Sequence, residues 1–252
     1  MPNWSQRSQE TELMDDLSIG GKELQQTLDE LAFINSTLGG YAPSLHGIKQ
    51  LLPAGARELT VLDVGCGCGD LPRRLVKWAR RQNIQLHVLG IDLAADTVAH
   101  ASARSQDFPE LSFSQADLFA LPSSNPFDIV HAGLVLHHMD NDLAPRFLQK
   151  MYQLSRLGVV VNDLHRHWFA YYAIRTLTKC LSRNRLIRHD AALSVLRGFR
   201  RQELLELCRL AQLPAPLLTW RWAFRWQLVL PKAAPIEDPS SDSHASIAVA
   251  QV

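Results

Sequence analysis

The stretch Val61-Leu62-Asp63-Val64-Gly65-Cys66-Gly67-Cys68-Gly69-Asp70 decides how this chain is expected to fold. Its apolar first half predicts a buried strand, and the glycines predict a tight turn that leads into a helix. A dinucleotide-binding loop needs a further glycine where Asp70 or Pro72 stands. Asp70 would also bring a negative charge close to a phosphate. The loop is therefore expected to accept a ligand without phosphate groups.

Strand and helix patterns alternate on both sides of this loop. Apolar residues recur at helical spacing over 24–38 and again over 43–52, before the loop begins. Strands are predicted at residues 59–64, 87–91, 111–115, 127–131, 158–162, 217–224 and 225–230. Intervening helices predict an α/β protein with a mostly parallel sheet covered on both faces. A tight turn is expected to join the last two strands.

The chain divides into three expected parts. Residues 1–57 are predicted to form an N-terminal helical lid, with residues 1 to about 10 frayed, and residues 58–231 the ligand-binding domain. A helical, aromatic and basic insertion at about 165–198 interrupts that domain after its fifth strand. Residues 232–252 are rich in Pro, Ser, Asp and Ala without periodicity, which predicts a disordered tail.

Composition excludes several classes of protein. The 252 residues carry a net charge of +1, which does not favour a nucleic-acid binder. No apolar run approaches the roughly 18 residues of a membrane span, so no stable membrane insertion is expected. The four cysteines do not form a secreted disulfide framework, and a reduced, cytoplasmic protein is expected. Cys66 and Cys68 lack a second ligand pair, so no metal site is predicted.

Charge is unevenly distributed along the chain. Residues 1–30 are mainly acidic, whereas residues 165–201 contain nine basic residues and one acidic residue, Asp190. Two interpretations remain open at this point. The two segments are either separate solvent-exposed faces, or they interact. In the second case they approach each other, or the basic segment contacts an anionic partner.

Several motifs together resemble those of a known family. Asp63-x-Gly65-x-Gly67-x-Gly69 resembles motif I of the class I S-adenosylmethionine-dependent methyltransferases. The later motifs follow in the family's order: Gly90-Ile91-Asp92, Gln115-Ala116-Asp117-Leu118, Phe127-Asp128-Ile129-Val130 and Leu136-His137-His138. The resemblance covers about residues 58–230 and is strongest to bacterial small-molecule methyltransferases of the ubiquinone and menaquinone biosynthesis type. It implies a Rossmann-like, doubly wound, seven-stranded sheet with an antiparallel last strand, and S-adenosylmethionine as cofactor.

The resemblance also implies a set of cofactor-binding residues. They are Asp63, Gly65, Cys66, Gly67, Gly69, Asp92, Leu93, Asp117, Leu118 and Ala132. Asp92 ends a strand about twenty residues after the glycines, where a carboxylate can accept both hydroxyls of a ribose. The family assigns the adenine amino group to Asp117 and the methionine end to Asp63. Simpler roles as turn-capping or loop carboxylates remain open for all three.

The acceptor side is less strongly determined by the sequence. His137, His138 and His165 are candidate catalytic bases, because a phenol with a pKa near 10 is mostly protonated at neutral pH. Packing or capping roles remain open for them. Tyr41, Arg166, Phe169 and Tyr172 are expected to contact the substrate. The aromatic insertion could instead be ordinary helical core, or an interfacial helix that makes weak contact with an anionic membrane.

These observations predict an enzyme that methylates a small, lipophilic or aromatic metabolite. O-methylation of a phenol, enol or quinol in secondary metabolism is the leading hypothesis. N- or C-methylation of a similar scaffold, and a non-catalytic binding protein, remain alternatives. An RNA substrate is disfavoured, because His131-Ala132-Gly133-Leu134 replaces the Asn-Pro-Pro-Tyr type of sequence after the fourth strand. The sequence leaves the oligomeric state open.

Overall fold

A computed structural model describes residues 2–124 and 126–232 of the chain. The predicted disordered tail, residues 232–252, lies outside this part except for its first residue. The Lys232 ammonium donates to the backbone carbonyls of Tyr152 and Ser155, at 3.1 and 2.9 Å. Lys232 is therefore packed on the folded domain.

A seven-stranded sheet forms the centre of the molecule. Its strands are β1 Glu58–Val64, β2 Gln85–Asp92, β3 Leu111–Gln115, β4 Phe127–Gly133, β5 Ser155–Leu164, β6 Leu217–Arg221 and β7 Arg225–Pro231. The spatial order is β3-β2-β1-β4-β5-β7-β6, and β7 is antiparallel to both of its neighbours. The predicted Rossmann-like, mostly parallel sheet with an antiparallel last strand is confirmed.

Eight α-helices among the described residues pack around this sheet. They are α1 Gly21–Thr37, α2 Ala42–Leu51, α3 Asp70–Gln82, α4 Ala95–Ala103, α5 Leu143–Gln153, α6 Trp168–Leu181, α7 Arg185–Arg197 and α8 Arg201–Leu210. Helices α1 and α2 lie in the segment predicted as an N-terminal lid, and α6 and α7 lie in the segment predicted as an insertion after the fifth strand. Within the described residues, no helix is both long and apolar enough to cross a bilayer.

Both faces of the sheet are covered by apolar helix faces. On α8, Leu204, Leu207 and Cys208 are buried as the helical spacing predicts. Helix α2 lies close to the opposite face at Gly47, where an added Cβ atom would lie 2.6 Å from Val160 Cγ1. Glycine is therefore needed there for the lid to approach the sheet. Burial of these two faces supplies the main driving force for this arrangement.

The first twenty residues, here called the N-terminal strap, differ from the sequence expectation. The predicted fraying of residues 1 to about 10 is wrong, because the buried Arg7 guanidinium fixes this segment to the domain. It donates to the carbonyls of His137 and Met139, both at 2.9 Å, and to that of Arg197 at 2.8 Å. These carbonyls are distant in the sequence, so no local pattern indicates the contact.

Arg7→Met is expected to lower the free energy of unfolding by about 2 kcal/mol or more, since it leaves several buried carbonyls without a donor. Urea unfolding followed by circular dichroism measures the change. Lys22→Met, at an exposed position on α1, is the matched control and should change stability little. Equal stability of the Arg7 and Lys22 variants would contradict this role for Arg7.

The acidic and basic segments meet in the structure. Arg197 Nη1 lies 3.0 Å from Asp15 Oδ2, and Arg185 Nε lies 2.7 Å from Glu23 Oε1. The interpretation that the two segments approach each other is therefore confirmed. The Arg185 pair is exposed and contributes little stability, whereas the Arg197 guanidinium is buried.

Candidate active site

The glycine loop connects β1 to α3 at the carboxyl edge of the sheet. Gly65, Gly67 and Gly69 all have positive φ angles, between 53° and 72°. The amides of Gly65 and Cys66 donate to the carbonyl of Ile91 in β2, at 2.8 and 3.0 Å. A Cβ atom added at Gly67 would have no neighbour within 4 Å. The loop is thus held firmly at its start and leaves open space above Gly67.

Asp92 lies opposite this loop, at the end of β2. Its carboxylate accepts from the amide of Gly67 at 3.4 Å and from the amide of Ala94 at 3.1 Å. Burial raises the pKa of Asp92, an effect that these backbone hydrogen bonds oppose. The next residue, Leu93, is half exposed. This geometry leaves the Asp92 carboxylate beside the open space above Gly67.

Asp117 ends the connection that follows β3. One of its carboxylate oxygens accepts from the amide of Phe119 at 2.9 Å, so it caps the short 3-10 turn Leu118–Ala120. Leu118 is buried under the same turn. Both residues thus lie at the carboxyl edge of the sheet, as the strand order requires.

Asp63 belongs to a buried polar chain that sequence analysis did not identify. Its carboxylate lies 2.6 Å from His131 Nδ1, and His131 Nε2 lies 2.9 Å from the Ser44 hydroxyl on α2. Asn162 donates to the same hydroxyl and to the carbonyl of Gly40, at 2.9 and 2.7 Å. This chain links β1, β4 and β5 to the lid. The single histidine in the buried run of β4 was the available signal.

The turn Leu136–His138 follows β4 and packs on the glycine loop. A side chain at Gly65 would clash with Val135, the residue just before this turn. The turn therefore lies against the start of the loop. Ala132 is the last buried residue of β4 and precedes this turn.

His137 is buried within a group of charged side chains. Its Nδ1 lies 2.7 Å from Asp163 Oδ1, and its Nε2 lies 3.6 Å from Glu12 Oε1 in the strap. Burial alone would raise the pKa of Asp163, but the charge and hydrogen bond of His137 outweigh it and lower that pKa. His137 Nε2 and Glu12 Oε1 have no hydrogen-bond partner among the described residues.

His138 is the more accessible of the two histidines, with about a quarter of its side chain exposed. Its Nδ1 lies 2.5 Å from Asp15 Oδ1, and Arg197 holds the second oxygen of Asp15 at 3.0 Å. Burial would raise the pKa of Asp15, but the hydrogen bond and charge of His138 lower it below its usual range. An ionised Asp15 accepts the proton on Nδ1, which leaves Nε2 of a neutral His138 as the basic nitrogen.

Glu12 gives the strap a pH-dependent contact with this site. Burial raises the pKa of Glu12 to about 7, although the charge of His138 opposes the shift. A carboxyl whose pKa is raised in the folded state stabilises that state at low pH and loses the contribution as pH rises. The loss is expected between the ordinary pKa of glutamate and about pH 7.

Glu12→Gln is therefore expected to gain stability over the wild-type chain as pH rises from 5 to 8. The relative gain should be about 2–3 kcal/mol, because the glutamine is never ionised. Urea unfolding at a series of pH values measures it. Glu30→Gln, at a position outside this group, serves as control, and parallel pH profiles of wild type and Glu12→Gln would contradict the assignment.

His165 and Arg166 lie apart from the glycine loop, where β5 leads into α6. His165 Nδ1 accepts from the Trp220 indole at 3.2 Å, and burial together with His167 lowers the pKa of His165 to about 4. This arrangement leaves Nε2 of His165 as a donor. The buried Arg166 donates to the carbonyl of Gly198 at 2.7 Å and forms a 2.5 Å ion pair with Glu203.

The remaining predicted substrate contacts have two different environments. Tyr41 is partly buried, its hydroxyl donates to the carbonyl of Ala32 at 3.1 Å, and Arg74 lies over its ring. Burial raises the pKa of Tyr41. Phe169 and Tyr172 are exposed on α6. The structure thus groups the predicted cofactor-binding residues with the His137–His138 turn. It places His165, Arg166, Phe169 and Tyr172 further along the sheet edge.

Part of this chain is similar to known methyltransferases. Residues 61–158 match the family model described as a methyltransferase domain. The match covers less than half of the chain, and the strand order of the sheet agrees with a methyltransferase domain in that segment.

Among individual proteins, the chain is similar to 2-phytyl-1,4-naphtoquinone methyltransferase of Thermosynechococcus vestitus. The two are 38% identical over 104 residues, which is 41% of this chain and 43% of that protein. A mitochondrial ubiquinone biosynthesis O-methyltransferase of Candida albicans is 38% identical over 87 residues, 33% of this chain and 25% of that protein. The similarity thus spans less than half the length of these curated relatives.

Solved structures share the fold at low sequence identity. A SAM-dependent methyltransferase from Aquifex aeolicus has a TM-score of 0.58 and 14% identity, over 82% of this chain and 97% of that one. Magnesium protoporphyrin IX methyltransferase from Synechocystis has a TM-score of 0.50 and 15% identity, over 91% of each chain. These likenesses support the fold.

Proposed function

We propose that this protein transfers a methyl group from S-adenosylmethionine to an oxygen atom of a small, lipophilic or aromatic acceptor. The observation that carries the proposal is the contact between His138 and Asp15. His138 lies on the turn that packs against the glycine loop, and Asp15 lies in the strap. The acceptor class is a phenol, enol or quinol of secondary metabolism.

The cofactor part of the proposal rests on the loop and the acidic residues around it. Open space above Gly67 fits a nucleoside without phosphate groups, and the Asp92 carboxylate beside it fits two ribose hydroxyls. Asp117 and Leu118 are proposed to receive the adenine ring, and Asp63 to act through His131 on the lid. When bound, S-adenosylmethionine supplies an electrophilic methyl group on a positively charged sulfur.

His138 is proposed as the general base. Removing the proton from a phenol with a pKa near 10 at neutral pH costs roughly 4 kcal/mol, and a positioned imidazole can offset much of this. Asp15 holds Nδ1 of His138, so Nε2 is the nitrogen that takes the acceptor's proton. Because Asp15 belongs to the strap, the base is oriented only when the strap is docked.

The strap is also proposed to exclude water from the transfer. Arg7 fixes it by a hydrogen bond to the carbonyl of His137. Arg197 on α7 donates to the Glu10 carbonyl and the Asp15 carboxylate of the strap, and also to the carbonyls of His137 and His138. A methyl transfer from a sulfonium mainly requires alignment of the reacting atoms in a site with little water. His137, which is buried against Asp163, is proposed to orient the turn.

Two named relatives support a lipophilic acceptor. Their printed names refer to 2-phytyl-1,4-naphtoquinone and to ubiquinone biosynthesis. Quinols of this kind carry ionisable hydroxyls on an apolar ring, which suits an oriented imidazole base. The acceptor of this chain is proposed to share that chemistry.

The test incubates the purified chain with S-adenosylmethionine and separate panels of phenols, quinols, amines and carbon acids. Formation of S-adenosylhomocysteine and a methyl ether with a phenol or quinol is expected. N- or C-methylated products would redirect the proposal to those acceptors, and cofactor binding without turnover over all panels would favour a non-catalytic binding protein.

A further inference from the structure

Helix α6 exposes large apolar side chains that a core helix would bury. Trp168 and Phe169 are 56% and 52% exposed, and Leu181 at its other end is 76% exposed. Its buried residues are Ala170 and Thr178, which share the face packed on α7. Contiguous exposed apolar residues on a folded protein commonly mark an interaction site.

This apolar area continues onto the turn between β6 and β7. The ring of Phe224 lies 5.8 Å from that of Phe169 and 5.9 Å from that of Trp220, measured between centroids. Trp222, at the tip of the turn, is 73% exposed. Two elements distant in the sequence therefore form one surface, here called the aromatic surface: Trp168, Phe169, Tyr172, Trp220, Trp222 and Phe224.

The β6–β7 turn holds an unfavourable backbone conformation. Ala223 and Phe224 have φ angles of 61° and 54°, a left-handed region that residues with side chains seldom adopt. Two such residues in succession are what a tight hairpin turn between antiparallel strands requires, so the pairing of β6 with β7 fixes the turn that carries the exposed Trp222.

Basic residues surround the aromatic surface. Between residues 164 and 202 the sole acidic residue is Asp190, which is buried. Arg175, Lys179 and Arg183 are exposed on α6 and just after it, and none of the three forms an ion pair with a described residue. Exposed aromatic rings are thus combined with uncompensated positive charge.

A cleft of about 560 Å³ opens between the strap and the start of α6. It is lined by aromatic and basic side chains, among them Trp4, Trp168, Arg200 and Arg201. Such a lining suits an anionic headgroup attached to an apolar chain.

We propose that the aromatic surface docks on the surface of an anionic phospholipid bilayer. Tryptophan side chains favour the boundary between headgroups and acyl chains, and each lysine or arginine near an anionic bilayer adds attraction. A symmetric dimer through this surface would bring identical basic residues of two copies together, which disfavours a second copy as occupant. The proposal does not depend on methyl transfer, because docking can be measured without an acceptor.

Flotation with phosphatidylcholine vesicles and with vesicles of equimolar phosphatidylcholine and phosphatidylglycerol tests the proposal. The full chain should float with the anionic vesicles and remain behind with the neutral ones, and added salt should release it. The double variant Trp168→Ser, Trp222→Ser and the triple variant Arg175→Gln, Lys179→Gln, Arg183→Gln should each bind at least about tenfold more weakly.

Two matched controls distinguish the surface from general effects. Phe33→Ser removes another strongly exposed aromatic ring, on α1, and Lys49→Gln, Lys77→Gln, Arg81→Gln removes three exposed charges on α2 and α3. Both controls should bind like the wild-type chain. No flotation of the wild-type chain, or equal loss in the controls, would overturn the proposal. The proposal would also be overturned if the chain did not float and analytical ultracentrifugation showed a dimer that the Trp168 and Trp222 substitutions dissociate.

Discussion

Asp92→Ala is expected to weaken the binding of S-adenosylmethionine and of S-adenosylhomocysteine at least tenfold. A carboxylate that accepts hydroxyl groups contributes about 1.5–3 kcal/mol for each charge-assisted hydrogen bond, and a tenfold change corresponds to about 1.4 kcal/mol. The same change removes the acceptor of the Gly67 amide, so the loop also loses a contact that shapes it. Isothermal titration calorimetry measures the dissociation constants.

Asp107→Ala is the control, because Asp107 is an exposed acid in the connection between α4 and the start of β3. It should bind the cofactor like the wild-type chain. Asp92→Asn keeps the size of the side chain, and its affinity for the cofactor should lie between those of Asp92→Ala and Asp107→Ala. The reason is that an amide oxygen accepts a weaker hydrogen bond than a carboxylate. Unchanged affinity in Asp92→Ala, or uptake of a nicotinamide dinucleotide by the wild-type chain, would contradict the assignment of this carboxylate.

His138→Ala is expected to lower kcat by about 10²- to 10⁴-fold with a phenolic acceptor, which is the range for loss of a general base. Affinity for S-adenosylmethionine should change little, because His138 lies on the turn after β4 and not on the cofactor loop. Asp15→Asn should cause a smaller loss, since it keeps a polar partner at Nδ1 but stabilises the protonated imidazole less. Steady-state kinetics under saturating cofactor measure both effects.

A pH profile separates a base from a merely structural histidine. The loss in His138→Ala should shrink as pH approaches the pKa of the acceptor, because the phenol then ionises without help. His87→Ala, at an exposed position in β2, is the matched control and should retain full activity. A loss that stays constant over pH and is accompanied by weaker cofactor binding would instead indicate a structural role.

The sheet could be predicted from local patterns because each of its strands is short, apolar and followed by a recognisable turn or helix. The glycines after β1 indicated both the chain reversal and the ligand edge, since their positive φ angles are a local requirement. The cofactor side of the site was therefore accessible from sequence. Asp92 and Asp117 lie at that edge because parallel strands end there together.

The acceptor side was accessible only in part. His137 and His138 were identified as candidates, but their partners Glu12, Asp15 and Asp163 were not. Glu12 and Asp15 lie more than 120 residues away from the histidines in the sequence. The acidic composition of the first thirty residues indicated only a general attraction to the basic segment, without identifying these partners. The first ten residues are also held by contacts with residues distant in the sequence, and local patterns therefore predicted that they would be frayed.

The succession of strands along the chain, the turns that follow them and the sheet edge proposed to bind the ligand were determined by the sequence itself, because they depend on local periodicity and on glycine conformations. The tertiary structure alone decided which nitrogen of His138 is free, how the strap docks and which face of α6 stays exposed. Those features depend on contacts such as Asp15 with His138 and Phe169 with Phe224. Such contacts form only after the chain has folded, between residues that no local pattern connects.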